Sequence, residues 1–432
     1  MVKIMQALLV LTTSFGCLAT ILDVSPAVAA DGQIVDSFDA GVADGKVLDA
    51  AIQTDGKIVI AGSFTWVQTS QRIFIARLNP DGSLDTSFND VSLGSARILL
   101  DDRVSAVAVQ SDGKVLVGGY FKSANLGRIS ISHLARLNPD GTLDSSFNAA
   151  IETTSDSEPI SVIHPLADGT ILVGGAFGTV NGVAFSGLVR LLADGRIDPS
   201  FAHASQVHSV SALALTPAGQ IIVGENFSGI GSEAILRLNS DGTYDPTFRG
   251  SVDQNVAAIS LLSDGRMFVG GYFTQVGGSW CPMGGYTEYC GGSARTYLAR
   301  LNSDGSLDQT FNANFKSTGY DGIRALGLLA DGGIVVAGTC LKFSFSNFTP
   351  CIERLSSDGS IDYGFNPGVP DVYDIDFIAD GRILVSGSFD ATQGSVTRRN
   401  LVVLSNAKLP ATSTTSTTST TSTTSTTSTT ST

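Results

Sequence analysis

Apolar residues in this chain come in short dense runs separated by polar triplets that end in Gly. One stretch reads Val107-Ala108-Val109-Gln110-Ser111-Asp112-Gly113-Lys114-Val115-Leu116-Val117-Gly118-Gly119-Tyr120-Phe121. A second reads Leu134-Ala135-Arg136-Leu137-Asn138-Pro139-Asp140-Gly141-Thr142-Leu143-Asp144-Ser145-Ser146-Phe147. Runs this short, bounded by turn residues, predict strands paired in hairpins rather than helices. An Asp-Gly triplet between strands suits a type I turn whose Gly takes positive φ, where a side chain is strained. Two hairpins give four strands per unit, here labelled a (Ser105–Gln110), b (Lys114–Phe121), c (His133–Asn138) and d (Thr142–Phe147). Strands a and b are apolar at nearly every position, as in a sheet covered on both faces. Strand d carries Pro199 and Pro246 in two units, which marks it as the outer edge.

The unit repeats with a period of about 55 residues, the mark of a radial or solenoid array. Its first half recurs around Asp55, Asp112, Asp168, Ala218, Asp264, Asp331 and Asp380, and its second around Asp81, Asp140, Asp194, Asp241, Asp304 and Asp358. The expected fold is therefore all-β: a seven-bladed β-propeller of four-stranded antiparallel blades. The seventh d strand is missing after Leu401-Val402-Val403-Leu404. A matching segment stands at the other end, Asp31-Gly32-Gln33-Ile34-Val35-Asp36-Ser37-Phe38. The sequence thus predicts a ring closed by an N-terminal outer strand, which leaves no open edge. The c–d register sets Arg77 opposite Asp85, Arg136 opposite Asp144, Arg190 opposite Asp198, Arg237 opposite Asp245, Arg300 opposite Asp308 and Arg354 opposite Asp362. In the closing hairpin the same positions are Val403 and Val35, so both charges vanish together.

Leu-Asn-x-Asp-Gly-x-Leu-Asp-x-x-Phe and Asp-Gly-Lys-x-x-x-Gly-Gly-x-Phe, recurring in order from Asp31 to Asn406, resemble the delta-60 repeat family of bacterial propellers. The resemblance implies architecture and export, and no general activity. Unit four departs from the signature with Ala218-Gly219 and Glu225-Asn226, and unit six with Cys340 in place of Phe.

Composition refines this picture. The net charge of −14 argues against nucleic acid as a partner. Lys3, the apolar run Met5–Ile21 and Ala27-Val28-Ala29-Ala30 read as a signal peptide over residues 1–30, so the expected localisation is secreted or cell surface, with no membrane span after cleavage. The propeller is expected over 31–408 and a disordered Thr/Ser-rich tail over 409–432. Four cysteines remain in the exported part, with Cys281–Cys290 and Cys340–Cys351 the expected disulfides.

The repeated Arg–Asp pairs read as structural cross-strand ion pairs, one per blade. The Asn79-x-Asp81-Gly82 turn resembles the middle of a calcium loop, but Arg77 and Phe88 fall where ligands would be needed, so no metal or other cofactor is expected. The recurrent Phe residues (Phe64, Phe121, Phe177, Phe227, Phe273, Phe389; Phe88, Phe147, Phe201, Phe248, Phe311, Phe365) are expected between blades. Specificity is expected on the b–c and d–a loop face, whose sequences vary: Thr65–Arg72, Glu152–Glu158, Phe343–Pro350 and the long loop with Trp280, Tyr286 and Tyr289. Those three aromatics are candidate ligand-binding residues, for a glycan or a protein, or else the loop's own small core. The four histidines, His133, His164, His203 and His208, belong to no catalytic motif. Three functions remain: a monomeric non-catalytic binding or scaffold module, a secreted propeller enzyme of lyase or glycosidase type with carboxylates at the channel mouth, or a purely structural role.

Overall fold

The computed structural model describes residues 31–408, except 43, 90–97, 126, 154–158, 204, 227–233, 284–285, 317–321, 340–341, 344–350, 366 and 407. The expected signal peptide and tail, Cys340 and Phe227 therefore lie outside the described residues. The fold is all-β and propeller-like. Among the described residues each unit forms a three-stranded antiparallel sheet in the order a-b-c, from Val47–Ile52, Ile58–Gly62 and Ile75–Leu78 in unit 1 to Val372–Phe377, Ile383–Gln393 and Val396–Leu404 in unit 7. Each a strand lies against the a strand of the next unit, and that of unit 7 lies against that of unit 1. No helix among the described residues is long and apolar enough to cross a membrane.

The expected fourth strand is shorter than the sequence predicts. It is a single bridge per unit, such as Leu137↔Leu143, flanked by hydrogen bonds from Asn138 N to Thr142 O (2.8 Å) and from Asp144 N to Arg136 O (2.8 Å). The reason lies in Asp144. Its Oδ1 accepts from Ser146 N and its carbonyl from Phe147 N, so the chain turns away after one pair. That turn carries Phe147 under the Arg136 guanidinium, 4.8 Å from the ring centre.

All six expected Arg–Asp pairs form, with Nε donating to Oδ2 at 2.7–3.1 Å. Each Arg also covers its own unit's Phe at 4.7–5.2 Å. The sequence did not reveal a third contact. Nη1 of Arg77, Arg136, Arg190, Arg237 and Arg300 donates 2.5–2.8 Å to a carbonyl in the next unit's c–d turn, of Pro139, Ala193, Ser240, Ser303 and Ser357 respectively. The pair is thus an inter-unit clamp as well as a cross-strand one. Burial pushes the Asp85 carboxyl upward, but hydrogen bonds from Lys57, Ser87 and Arg77 more than offset this and hold it far below the usual range; Asp144 and Asp308 are held down in the same manner. A depressed native pKa adds stability above the unfolded value, so acid titration is expected to melt the protein progressively below about pH 4. Thermal scans from pH 6 to pH 2 check this.

The c–d turn docks tightly on the preceding unit. Gly141 has φ +85°, and a Cβ there would meet Asn89 N at 2.5 Å; Gly113, in an a–b turn, has φ +81° but its nearest neighbour would be Pro139 Cγ at 3.6 Å. Gly113→Ala is expected to cost about 1 kcal/mol, from backbone strain alone. Gly141→Ala is expected to cost about 3 kcal/mol, because backbone must also move. Urea denaturation of the two variants separates these contributions.

Residues from the two ends of the chain reproduce a c–d turn. Ile34 bridges Leu404, Ser405 N donates to Gln33 O (2.8 Å), Val35 N to Val403 O (2.8 Å) and Gly32 N to Ser405 O (2.9 Å). These match the bonds that Asn138, Asp144 and Gly141 make within unit 2. Arg354 has no intact turn to grip at the next unit, so it holds both pieces. Nη1 donates to Asp31 Oδ1 (3.0 Å) and to Asn406 Oδ1 (2.8 Å), and Nη2 to Asp31 Oδ2. Arg398 adds bonds to the carbonyls of Asp36 (2.9 Å) and Phe38 (2.8 Å). Ala50, Ile60 and Phe64 of unit 1 share one buried cluster with Leu384, Leu401 and Val403 of unit 7.

Candidate functional site

The inner strands carry a bulge near their start. Register slips between Val47 and Asp49, Val104 and Ala106, Val210 and Ala212, Val256 and Ala258, Ile323 and Ala325, and Val372 and Asp374. A bulge re-aims the side chain it contains. The bulged residues are Leu48, Ser105, Ser211, Ala257, Arg324 and Tyr373, with Ser161 at the matching place in unit 3. Their strand neighbours are buried, whereas all but Ser105 are partly exposed. They stand near the start of strand a, at its d–a connection end.

This column is lopsided. Units 2 to 5 contribute small residues and units 6 and 7 contribute Arg324 and Tyr373. Around these two a cluster closes. Arg324 Nη1 donates to Asp371 Oδ1 (3.0 Å) and Nε to the Tyr272 hydroxyl (3.3 Å), while the guanidinium lies 4.8 Å from the Tyr373 ring centre. Lys46, just before strand a of unit 1, donates to the Tyr373 hydroxyl at 2.9 Å, and that hydroxyl donates to Asp371 Oδ2 at 3.3 Å. Burial works against the Arg324 charge, but Tyr272, Asp371 and Tyr373 more than offset it and raise its pKa above the ordinary value. In unit 2, Arg103 stacks on the Tyr120 ring at 3.6 Å. Across units 4 and 5, Asn255 donates to Asn226 Oδ1 (3.3 Å). Ser161 Oγ donates to Val210 O (2.5 Å) and Ser211 Oγ to Val256 O, whereas the buried Ser105 Oγ has no partner. The arrangement offers fixed cations, phenol hydroxyls and aromatic faces, which suits holding a polar ligand.

Of these residues the sequence singled out Asn226 alone, and only as a departure from the repeat. The signal available was departure from the repeat: within one column of Leu, Ser and Ala, only Arg324 and Tyr373 are large and polar. The departure at Glu225-Asn226 belongs here too, with Glu225 Oε1 accepting from His208 N (2.5 Å).

The expected aromatic candidates sit elsewhere. Trp280 and Tyr289 belong to a hairpin, Ser279–Met283 with Tyr286–Cys290, stapled by the Cys281–Cys290 disulfide (Cα–Cα 6.2 Å). Their rings meet edge to face at 5.5 Å. The Tyr289 hydroxyl bonds Ser251 Oγ (2.8 Å) and accepts from Gly278 N (2.9 Å), so it ties the hairpin to the d–a connection. The Tyr286 side chain lies outside the described residues. Cys351 is buried and disulfide-bonded, and its expected partner Cys340 is not described. Several segments read as loops are small hairpins, as at Trp66–Val67 with Ser70–Gln71. A carboxylate pins these to the d–a connection: Asp44 accepts from Thr65 N and Trp66 N, and Asp253 from Thr274 N and Gln275 N.

The histidines are placed by packing. Burial pushes the His164 imidazole down to about 4, so it is neutral at pH 7. His133 Nδ1 lies 2.9 Å from Gly119 O, and His203 sits edge-on to Phe185 at 5.1 Å while accepting from Ser186 N. The calcium-like turn spends its carboxylate internally, Asp81 Oδ1 accepting from Ser83 N (2.9 Å) and Ser83 Oγ (2.6 Å). No three His, Cys, Asp or Glu side chains among the described residues gather as a metal site.

Comparison with known proteins places the chain in a family. The family described as "Domain of unknown function (DUF5122) beta-propeller" matches residues 53–88, 110–147, 166–201, 217–248, 262–282, 283–311, 329–365 and 378–402. Those segments cover more than half of the sequence, and the chain belongs to this β-propeller repeat family. Among solved structures it is similar to the WD40 β-propeller domain of Doa1 (14% identity, TM-score 0.47, covering 86% of this chain and 96% of that one). It is also similar to YCF48 bound to D1 peptide (11%, 0.45, 87% and 99%), and to a catalytically inactive virginiamycin B lyase from Staphylococcus aureus with quinupristin (14%, 0.42, 86% and 96%). No curated protein matches.

Proposed function

We propose that this chain is a secreted or cell-surface, seven-bladed propeller of delta-60-type four-stranded blades, sealed by its own N-terminal strand. It acts as a monomeric, non-catalytic binding or scaffold module whose ligand seats at the channel mouth on the loop face. The observation that carries this is the Lys46–Tyr373–Arg324–Asp371–Tyr272 cluster. It joins units 1, 5, 6 and 7, so it exists only when the ring is closed. The seam supports the same reading: Arg354 grips Asp31, so cleavage of a signal just before Asp31 leaves the closing strand whole. The enzyme alternative needs an acid and a base free to exchange protons. The carboxylate in this cluster, Asp371, is occupied by Arg324 and Tyr373, which suits positioning a ligand better than cleaving one.

The test is a glycan array and cell-surface pull-down with the wild type and with Arg324→Met and Tyr373→Ala. The expected result is retention that both variants weaken about tenfold or more, the scale of losing one charge-assisted or stacking contact. Retention unaffected by either variant, or turnover of a bound glycan, would overturn the reading.

A further inference from the structure

We infer that the mouth selects an acidic sugar, a uronate-type residue of a glycan, with the carboxylate seated between Lys46 and Arg324; this rests on the binding-module reading above. Three observations carry it. First, the cations are under-compensated. Lys46 makes no ion pair among the described residues, its ammonium bonding only the Tyr373 hydroxyl and lying 5.3 Å from that ring's centre. Arg324 shares one carboxylate, Asp371, and uses Nε and Nη1, with no hydrogen bond from Nη2 among the described residues. Among the described residues of this cluster two cations stand against one anion, in a chain of net charge −14. Second, these cations are held in place. Arg324 is fixed by Tyr272, Asp371 and the Tyr373 face together, so little side-chain freedom is lost when an anion arrives. Third, the bulge positions of units 2 to 5 are small, and the partly exposed Ser161 and Ser211 use their hydroxyl protons on carbonyls while their oxygens can still accept. Hydroxyl groups among small side chains suit a polyhydroxylated ring. A peptide would anchor through apolar or aromatic side chains in a dry pocket, and Leu48 is the one large apolar residue among the seven bulge positions.

The experiment is calorimetric titration of the full chain with oligogalacturonate, a neutral galactose oligomer of equal length, inorganic phosphate and an acidic peptide. Oligogalacturonate is expected to bind about tenfold or more tightly than the neutral oligomer, with Lys46→Met and Arg324→Met each losing about tenfold. Asp371→Asn is expected to strengthen binding about threefold by removing the competing carboxylate. Arg399→Gln, an exposed ion pair on the unit 7 hairpin, is the control and should change nothing. Melting curves show whether each variant is folded, and exposed Lys46 keeps the test informative if Arg324→Met is not. Equal or better binding of the neutral oligomer overturns the acidic preference while leaving a glycan site at the mouth. Preference for the acidic peptide, or full displacement by equimolar phosphate, overturns the sugar assignment. Absence of oligogalacturonate binding at millimolar concentration overturns the inference outright.

Discussion

Arg354→Met is expected to destabilise the protein by about 3–5 kcal/mol, against about 1–2 kcal/mol for Arg190→Met, although both residues occupy the same place in the repeat. The difference follows from what each arginine holds. Arg190 bonds Asp198, a hydroxyl and one carbonyl, with its side chain 15% exposed. Arg354 is 3% exposed and bonds Asp362, Asp31 and Asn406. Its loss removes the guanidinium that bridges Asp31 and Asp362, leaving Asp362 only the longer ion contact to Lys408 at 3.6 Å, and frees both pieces of the split turn. Equilibrium urea denaturation measures the totals. Hydrogen exchange locates the effect: in Arg354→Met the Val35 amide, which donates to Val403 O, should exchange much faster than the matching Asp144 amide of unit 2. Equal losses in the two variants would mean that the seam is an ordinary clamp.

The second large effect concerns a charge in the wrong place. Glu353 is 4% exposed and lies in strand c of unit 6, where the other units have Ala76, Ala135, Val189, Leu236, Ala299 and Val402. Its strand partner Val336 belongs to the apolar layer between units 5 and 6, and its Oε2 has no hydrogen bond. Burial, with a smaller push from Asp362, raises its carboxyl to about 8, so it is protonated in the folded protein at pH 7. Unfolded, it titrates near 4.5. The native state therefore binds the extra proton between these two values, and stability falls as pH rises through that window by about 1.4 kcal/mol per pH unit. Below pH 4.5 this contribution is fully present, and above pH 8 it is lost. Glu353→Gln never ionises, so it should match the wild type at pH 4.5 and exceed it increasingly up to pH 8. Glu353→Val restores the repeat and should gain at every pH. Melting temperatures at pH 5, 6, 7 and 8 check the slope; a gap between Glu353→Gln and wild type that does not widen with pH contradicts this account.

The two results show where sequence reading succeeded and where it stopped. Arg77 and Asp85 were legible because strand register is arithmetic: a three-residue turn fixes which side chains face each other. The same arithmetic exposed Val35 and Val403 as partners across the chain ends. The outer strand was read too long, since alternation continues to Phe147 while the Asp144 side chain turns the backbone after Leu143. The third contact of each arginine, to the next unit's carbonyl, leaves no trace in composition because any residue supplies a carbonyl.

The Lys46–Tyr373–Arg324–Asp371–Tyr272 cluster was hidden for a different reason. A repeat is recognised by what recurs, and this cluster is built largely from what does not. Arg324 and Tyr373 are the large polar residues of the bulge column, Lys46 stands just before strand a of unit 1, and Tyr272 stands at the end of strand b of unit 5, where unit 2 has Tyr120. They meet because units 5, 6, 7 and 1 are neighbours in space. The long disulfide-stapled hairpin stood out in the sequence through its length and its aromatics, and there the Tyr289 hydroxyl bonds Ser251 and Gly278. Glu353 is a departure of the same type as Arg324, distinguished only by facing the layer between units instead of standing in the bulge column.

The closed ring is the claim on which the clamp, the mouth and the ligand assignment all depend. Cysteines placed at Ile34 and Leu404 test it directly. These residues face each other as a non-hydrogen-bonded pair between Val35–Val403 and Gln33–Ser405, a spacing of about 4.5 Å between Cα atoms that a disulfide spans. The account predicts that Ile34→Cys/Leu404→Cys forms an intramolecular bridge in the monomer, recovered by mass spectrometry as one cross-linked peptide pair from opposite ends of the chain. Two free thiols at those positions, or a bridge found only between two molecules, would contradict it.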